Sequence, residues 1–336
     1  MIDVVIPVYR GLEDTRRCLE SVLAARCSMP HEVVVIDDAS PEPELRAQVR
    51  ELAAARRTTL VAHDSNRGFV ASANEGIALH GDRDVVLLNS DTEVADGWLD
   101  RLAAHAARDA GIGTVTPFST NATICSYPRT LAANPMPARE TTASLDRAFA
   151  QANAGRAADI PTAVGFCMLV TRRCLGRVGA FDVERYGTGY GEEVDFCMRA
   201  ARAGFRHVVA ADVFVRHVGE VSFGAAGAGR RESAQATVDA LYPEFQQRLR
   251  AFIPADPLRT LRRRVDLERL RGAPHELRIS PAAGRRLKLD WPRPGEDFAL
   301  WLHPAHDRAA LAALRAALES RDAPLPELDA RWLAPG

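Results

Sequence analysis

Two stretches decide the fold, VVVIDDAS at residues 33–40 and VVLLNSDTEV at residues 85–94. Each is a run of four apolar residues that stops at a cluster of acidic and hydroxyl side chains. Runs this short, closed by turn-forming residues, predict strands buried on both faces. Working outward, further apolar runs stand at 4–6, 60–62 and 112–115. Helical spacing fills the intervals at 14–25, 44–56, 70–79 and 98–107. Strands alternating with helices predict βαβ units: an α/β, Rossmann-like, mostly parallel sheet with helices on both faces.

Ligands of such a sheet bind beyond the carboxyl ends of its strands. Asp37-Asp38-Ala39-Ser40 follows the second strand, and Asn89-Ser90-Asp91-Thr92-Glu93 follows the fourth. Both acidic clusters therefore belong to one rim. Carboxylates gathered there repel a phosphate but can hold a divalent cation that attracts one.

Composition removes several classes. With 43 Lys+Arg against 44 Asp+Glu, the formal net charge is -1, so a nucleic-acid partner is not expected. Lys288 is the only lysine, and no GK[ST] motif exists, which excludes a P-loop. No apolar run is long enough to span a membrane. The opening MIDVVIPVYRG has neither a basic leader nor a small-residue cleavage site, so a cytoplasmic location is expected. Cys18, Cys27, Cys125, Cys167, Cys174 and Cys197 form no CxxC pair and are expected as free thiols.

Beyond residue 116 the pattern loosens. Prolines interrupt 117–161, which predicts a long excursion over the sheet that shapes a substrate cleft. Strands are expected at 163–170 and 207–215, and helices at 192–203 and 233–250. The glycine- and alanine-rich 219–229 is expected as a mobile loop. Residues 1–250 thus form one catalytic-type domain, with a nucleotide-binding half (1–116) and an acceptor-side half (117–250). Residues 251–336 form a small helical or mixed C-terminal extension, with an arginine-rich amphipathic helix at 258–271 and a second helix at 307–320. The first of these is expected as a solvated surface helix, with peripheral contact to an anionic membrane as the alternative.

Four segments in register carry a resemblance. IPVYRG with DDAS, NRGFVASANEGI, NSDTEV, and GYGEEVDFCMRAARAGFR followed by RHVGEVSF resemble the GT-A-fold glycosyltransferases of family 2 over about residues 1–225. Among these inverting enzymes the chain looks most like the bacterial, rhamnosyltransferase-like members that build surface polysaccharides. The resemblance implies a UDP- or dTDP-sugar donor, a glycan or lipid-linked acceptor, and Mn2+ or Mg2+ as cofactor.

Roles carry over residue by residue. Pro7, Tyr9, Asp37, Asp38, Arg67, Asn74, Asn89, Ser90 and Asp91 fall on the nucleotide-sugar side. Asp38 is the preferred acceptor for a pyrimidine N3–H, because an ionised carboxylate only accepts. Asp38 and Ser40 are equally good turn and helix-cap residues. Arg67 could meet phosphate or acceptor, and Asn74 sits as a polar residue among small apolar ones.

Asn89-Ser90-Asp91 replaces the family's Asp-x-Asp, leaving Asp91 as a metal ligand with one anion fewer. His217 follows Glu193 by 24 residues and is placed as the second metal ligand. Glu193, second of the pair Glu192-Glu193, is the catalytic base, with glutamate where aspartate is commoner. Acidic residues in a first helical turn also serve the helix dipole alone. Asp195 and Arg199, at i and i+4, are set to pair. Gly165, Phe166, Tyr190 and Glu192 fall on the acceptor side, with Phe166 and Tyr190 equally readable as core.

Two other functions compete with transfer. A nucleotidyltransferase needs a basic, glycine-rich pyrophosphate loop that IPVYRG lacks. A non-catalytic scaffold derived from a transferase is opposed by the retained Asp91, Glu193 and His217.

Overall fold

The computed structural model describes residues 1–137, 140–187, 189–219, 227–271, 278–282, 286–290, 299–302 and 312. Its first half follows the alternation: β1 (Ile2–Val8), α1 (Leu12–Ala24), β2 (His31–Asp37), α2 (Pro43–Ala54), β3 (Thr59–Ala62), α3 (Phe69–Ala78), β4 (Asp84–Leu88), β5 (Thr92–Glu93), α4 (Trp98–Ala107) and β6 (Ile112–Phe118). The second half carries α5 (Thr142–Asn153), β7 (Ala157–Ile160), β8 (Cys167–Val170), α6 (Arg172–Val178), α7 (Val183–Tyr186), α8 (Glu192–Arg202), β9 (Arg206–Phe214) and β10 (Arg216–His217).

Eight strands form one sheet in the order β3-β2-β1-β4-β8-β6-β9-β7. The pairs β3-β2, β2-β1, β1-β4 and β6-β9 are parallel, while β8 and β7 run antiparallel to their neighbours. Period-two geometry sends alternate side chains to opposite faces. Val4, Ile6, Val33, Val35, Val86 and Leu88 belong to one core, with α1 and α4. Val5, Val34, Ile36, Val85 and Leu87 belong to the other, with α3 and α8. Both faces are covered, as continuous apolar strands require. On the second face α3 lies so close that a Cβ at Gly76 would meet Val5 Cγ1 at 2.3 Å. Only glycine permits that approach.

Four expectations need correction. The excursion from 117 contains a regular helix, α5, closed by a reciprocal Thr141/Ser144 capping box that the prolines around it obscured. The helix expected at 233–250 is two, α9 (Gly227–Leu241) and α10 (Pro243–Ala255), broken where Pro243 starts a new first turn. That α9 also takes in 227–229, the end of the expected loop; residues 220–226 lie outside the described residues.

The fourth correction concerns α11 (Arg259–Arg271), which is not a solvated helix. It packs against α5, and Leu258, Arg262, Val265, Asp266 and Arg269 are buried. Its buried charges are paired. Asp266 accepts from Tyr127 Oη at 2.8 Å, and Arg269 Nε donates to Glu140 at 3.1 Å. This face is committed to the protein, while Arg259 and Arg264 of the same helix are exposed.

Beyond lies an antiparallel sheet of β11 (Arg278–Ala282), β12 (Arg286–Asp290) and β13 (Ala299–Leu302). The helix expected at 307–320 lies outside the described residues. All six cysteines are free. Among the described residues no helix is long and apolar enough to cross a membrane.

Candidate active site

A cavity of about 800 Å3 opens over the carboxyl ends of β1, β2 and β4 and is closed from the far side by α8 and α9. Its lining brings together Pro7, Tyr9, Asp38, Asn89, Ser90, Asp91, Gly165, Phe166, Tyr190, Glu192, Glu193 and His217. Asp37, Arg67 and Asn74 are not among its walls.

The last strand pair builds its centre. Two-residue β10 pairs antiparallel with β5, setting His217 opposite Thr92 and Arg216 opposite Glu93. Arg216 and Glu93 pair at 3.1 Å, so Glu93 serves the ribbon. Val218 N–H donates to the Asp91 carbonyl at 3.1 Å, and Gly219 N–H to Asp91 Oδ2 at 2.8 Å. His217 Nε2 then stands 3.4 Å from Asp91 Oδ1. Phe166, only 2% exposed, stacks on the imidazole at 5.1 Å between centroids, which fixes the ring plane.

The tautomer follows from the other nitrogen. Nδ1 lies 2.6 Å from the Asn121 carbonyl, which can only accept, so Nδ1 carries a proton. In the neutral ring Nε2 then presents a lone pair toward a carboxylate. Two acceptors facing each other need a proton or a cation between them. Two ligands of one octahedral Mg2+-sized ion sit roughly 3 Å apart. A backbone carbonyl behind the histidine is also the usual support of a metal-bound imidazole. Asp91 and His217 thus fit a divalent cation. Without one they pair: His217 outweighs the opposing effect of burial and holds the Asp91 carboxyl below its ordinary value. Burial lowers the imidazole, but the Asp91 hydrogen bond and charge lift it above its ordinary value.

Glu193, the base expected from the sequence, stands in the first turn of α8, which also lines the cavity. Gly191, at φ 86°, turns the chain into that helix in a conformation disfavoured for other residues. Glu192 and Glu193 follow immediately. Burial raises the Glu193 carboxyl, with backbone amides at the helix start opposing it. Burial and then the Glu193 charge raise Glu192 well above the usual carboxylate range. Glu192 Oε2 is buried without a hydrogen-bond partner. Gly165 faces Glu193: a Cβ there would stand 3.9 Å from the Glu193 Cβ and Cγ, in ordinary van der Waals contact.

The helix is anchored from behind. Arg199 Nε donates to Asp195 Oδ2 at 2.8 Å, the expected i, i+4 pair, and reaches the Val178 and Ala180 carbonyls. Tyr242 Oη donates to Asp195 Oδ1 at 2.6 Å, tying the end of α9 to α8.

Four donor-side expectations meet other partners. Asp38 Oδ1 accepts from His63 Nδ1 at 2.8 Å and Arg67 N–H at 2.7 Å. Its Oδ2 accepts from Asn66 Nδ2 at 3.0 Å and Gly68 N–H at 2.8 Å. A carboxylate offers about four acceptor directions, and all are taken, so Asp38 has none left for a base N–H. It holds the 66–68 turn in place. Asp37 Oδ1 accepts from Ser40 N–H at 2.8 Å, as a turn residue does. Asn74 exchanges two hydrogen bonds with the Phe181 backbone, at 2.8 and 3.0 Å, and Arg67 pairs with Glu75 at 3.0 Å.

Sequence reasoning missed Arg10, Asn121, Thr123, Ala234 and Val238, which also line the cavity. Asn121 and Thr123 lie in the proline-rich excursion, and Ala234 and Val238 carry no chemical signal. Arg10 had one: it belongs to IPVYRG, beside the highlighted Tyr9.

One cavity over the carboxyl rim of a mostly parallel sheet thus holds a carboxylate–imidazole pair and the Glu192 and Glu193 carboxyls. The chain belongs to the family described as glycosyl transferase family 2, whose profile matches residues 3–179. Among solved structures it is similar in fold to GalNAc-T7 with UDP, GalNAc and Mn2+: 16% identity, TM-score 0.54, covering 90% of this chain and 67% of that one. It is also similar to the mannosyltransferase PcManGT of Pyrobaculum calidifontis with GDP-Man and Mn2+: 18% identity, TM-score 0.48, covering 99% and 78%. A search of curated proteins finds no significant match. The profile match ends before α8, so Glu193 and His217 stand on geometry alone.

Proposed function

We propose that the protein transfers a sugar, with inversion, from a nucleoside-diphosphate sugar to an acceptor hydroxyl, in the assembly of a bacterial surface glycan. The observation that carries the reaction is the single cavity shared by Glu193, Asp91 and His217. Glu193, its proton affinity raised by burial, takes the acceptor's hydroxyl proton as that oxygen forms its bond to the anomeric carbon. The anomeric carbon–oxygen bond breaks on the opposite side, and the nucleoside diphosphate leaves with the electron pair. When bound at Asp91 and His217, Mn2+ or Mg2+ supplies positive charge next to the departing diphosphate. Support for Mn2+ comes from GalNAc-T7, which shares the fold and is solved with UDP and Mn2+.

UDP- and dTDP-sugars remain the proposed donors on the family resemblance, since the occupied oxygens of Asp38 no longer select for a pyrimidine. The glycan or lipid-linked acceptor rests on the same resemblance. The test is hydrolysis and transfer with a panel of UDP-, dTDP- and GDP-sugars in Mn2+, following the anomeric proton by NMR. Initial release of the anomer opposite to the donor's is expected. Release with retained configuration, or no turnover of any donor, would sink the proposal.

A further inference from the structure

A diphosphate approaching this cavity finds its usual backbone partners already engaged. Helix N-termini are the common phosphate sites of α/β proteins. Three helices start at the cavity or beside it, and each meets a carboxylate first. At α1, Glu42 accepts from Gly11 N–H at 3.1 Å and Leu12 N–H at 3.0 Å. At α3, Asp38 accepts from Gly68 N–H at 2.8 Å. At α8 the first turn bears Glu192 and Glu193. The donor's negative charge must therefore be met by side chains or by the cation.

Among the described residues that line the cavity, Arg10 is the one permanent cation. It stands in the turn between β1 and α1, exposed, and no ion pair holds it among the described residues. Its guanidinium lies over the Tyr9 ring, 5.2 Å from the centroid. Stacking uses the face of a guanidinium and leaves the N–H groups of its edge to fork onto a phosphate. Arg67, the phosphate candidate in the sequence, is instead paired with Glu75.

We propose that Arg10 is the residue that recognises the phosphates of the nucleoside-diphosphate donor. This rests on the donor class proposed above. It makes Arg10 specific for the diphosphate and indifferent to the base.

The test compares wild type, Arg10→Ala and Arg10→Lys by calorimetry and ligand-observed NMR in Mn2+, using UDP, dTDP and GDP beside uridine, thymidine and guanosine. Arg10→Ala should weaken the bound diphosphate by about 10- to 100-fold. Nucleoside binding and the melting temperature should stay unchanged, and Arg10→Lys should recover part of the loss. Equal weakening of nucleoside and diphosphate would make Arg10 a base-stacking residue, and unchanged diphosphate affinity would remove its role; either overturns the proposal. A different result, no diphosphate binding by wild type, would bring down the donor class itself and Arg10 with it.

Discussion

The two ends of the central sheet carry similar side chains and do different things with them. At the amino ends of the strands, Asp3, Glu32 and His80 gather closely enough to hold a metal ion. Arg83 Nη1 already stands there, 2.9 Å from Asp3 and 2.7 Å from Glu32, and His80 Nδ1 lies 2.9 Å from Asp3. That cluster contains its own cation. Over the carboxyl ends, Asp91 and His217 share a cavity with Glu192 and Glu193 of α8, and among the described residues no arginine bridges them. A carboxylate cluster becomes a binding site when the chain leaves its charge uncompensated. The acid-rich base is compensated by what it contains, while the acid-rich rim keeps its charge available to a ligand.

The largest effect that tests this contrast is Glu193→Gln. Loss of the base should slow transfer by about 100- to 10,000-fold, with nucleotide binding retained in calorimetry; near-normal turnover would break the active half of the comparison. Next, Asp91→Ala should abolish the strengthening of nucleotide binding by Mn2+, in titrations with and without the ion. If Mn2+ still strengthens binding in that variant, the cation is held elsewhere.

At the opposite end, Arg83→Ala should lower the melting temperature by a few degrees while kcat, KM and Mn2+ dependence stay as in wild type. A change in Mn2+ dependence there would erase the distinction between the two ends.

The smallest effect concerns Glu192, whose carboxyl is raised well above its ordinary value. A carboxyl with a folded pKa above its unfolded one favours the folded state when protonated. That contribution is present at low pH and is lost as pH rises through the raised folded value. Glu192→Gln should therefore melt higher than wild type at pH 8 and level with it near pH 4. The opposite ordering in a pH series of melts would show Glu192 ionised and stabilised.

Much of the fold was legible because its signals are local. The continuous apolar runs of β1, β2 and β4, and the acidic residues that follow β2 and β4, can be read within a few residues. Asp91 and Glu193 were legible for the same reason, each at the boundary of a regular element. The details around them were not. Nothing in DDAS shows that His63, Asn66, Arg67 and Gly68 will all converge on Asp38. Nothing in LRTLRRRVDLERLR shows that Asp266 and Arg269 will find Tyr127 and Glu140. Composition assigns such a helix to solvent, because unpaired buried charge is costly; partners far along the chain reverse that assignment.

By itself the amino-acid sequence determined the layered α/β architecture, the rim that carries the cavity, and the identity of the acidic groups on it. Tertiary structure alone decided which of those groups are free. A two-residue ribbon carries His217 to Asp91, Asn121 sets its tautomer, and neighbouring amides use up Asp38. The physical reason is that hydrophobic periodicity is a property of consecutive residues, whereas the charge and hydrogen-bonding capacity left to a side chain depend on every group that folding brings within about 3 Å of it.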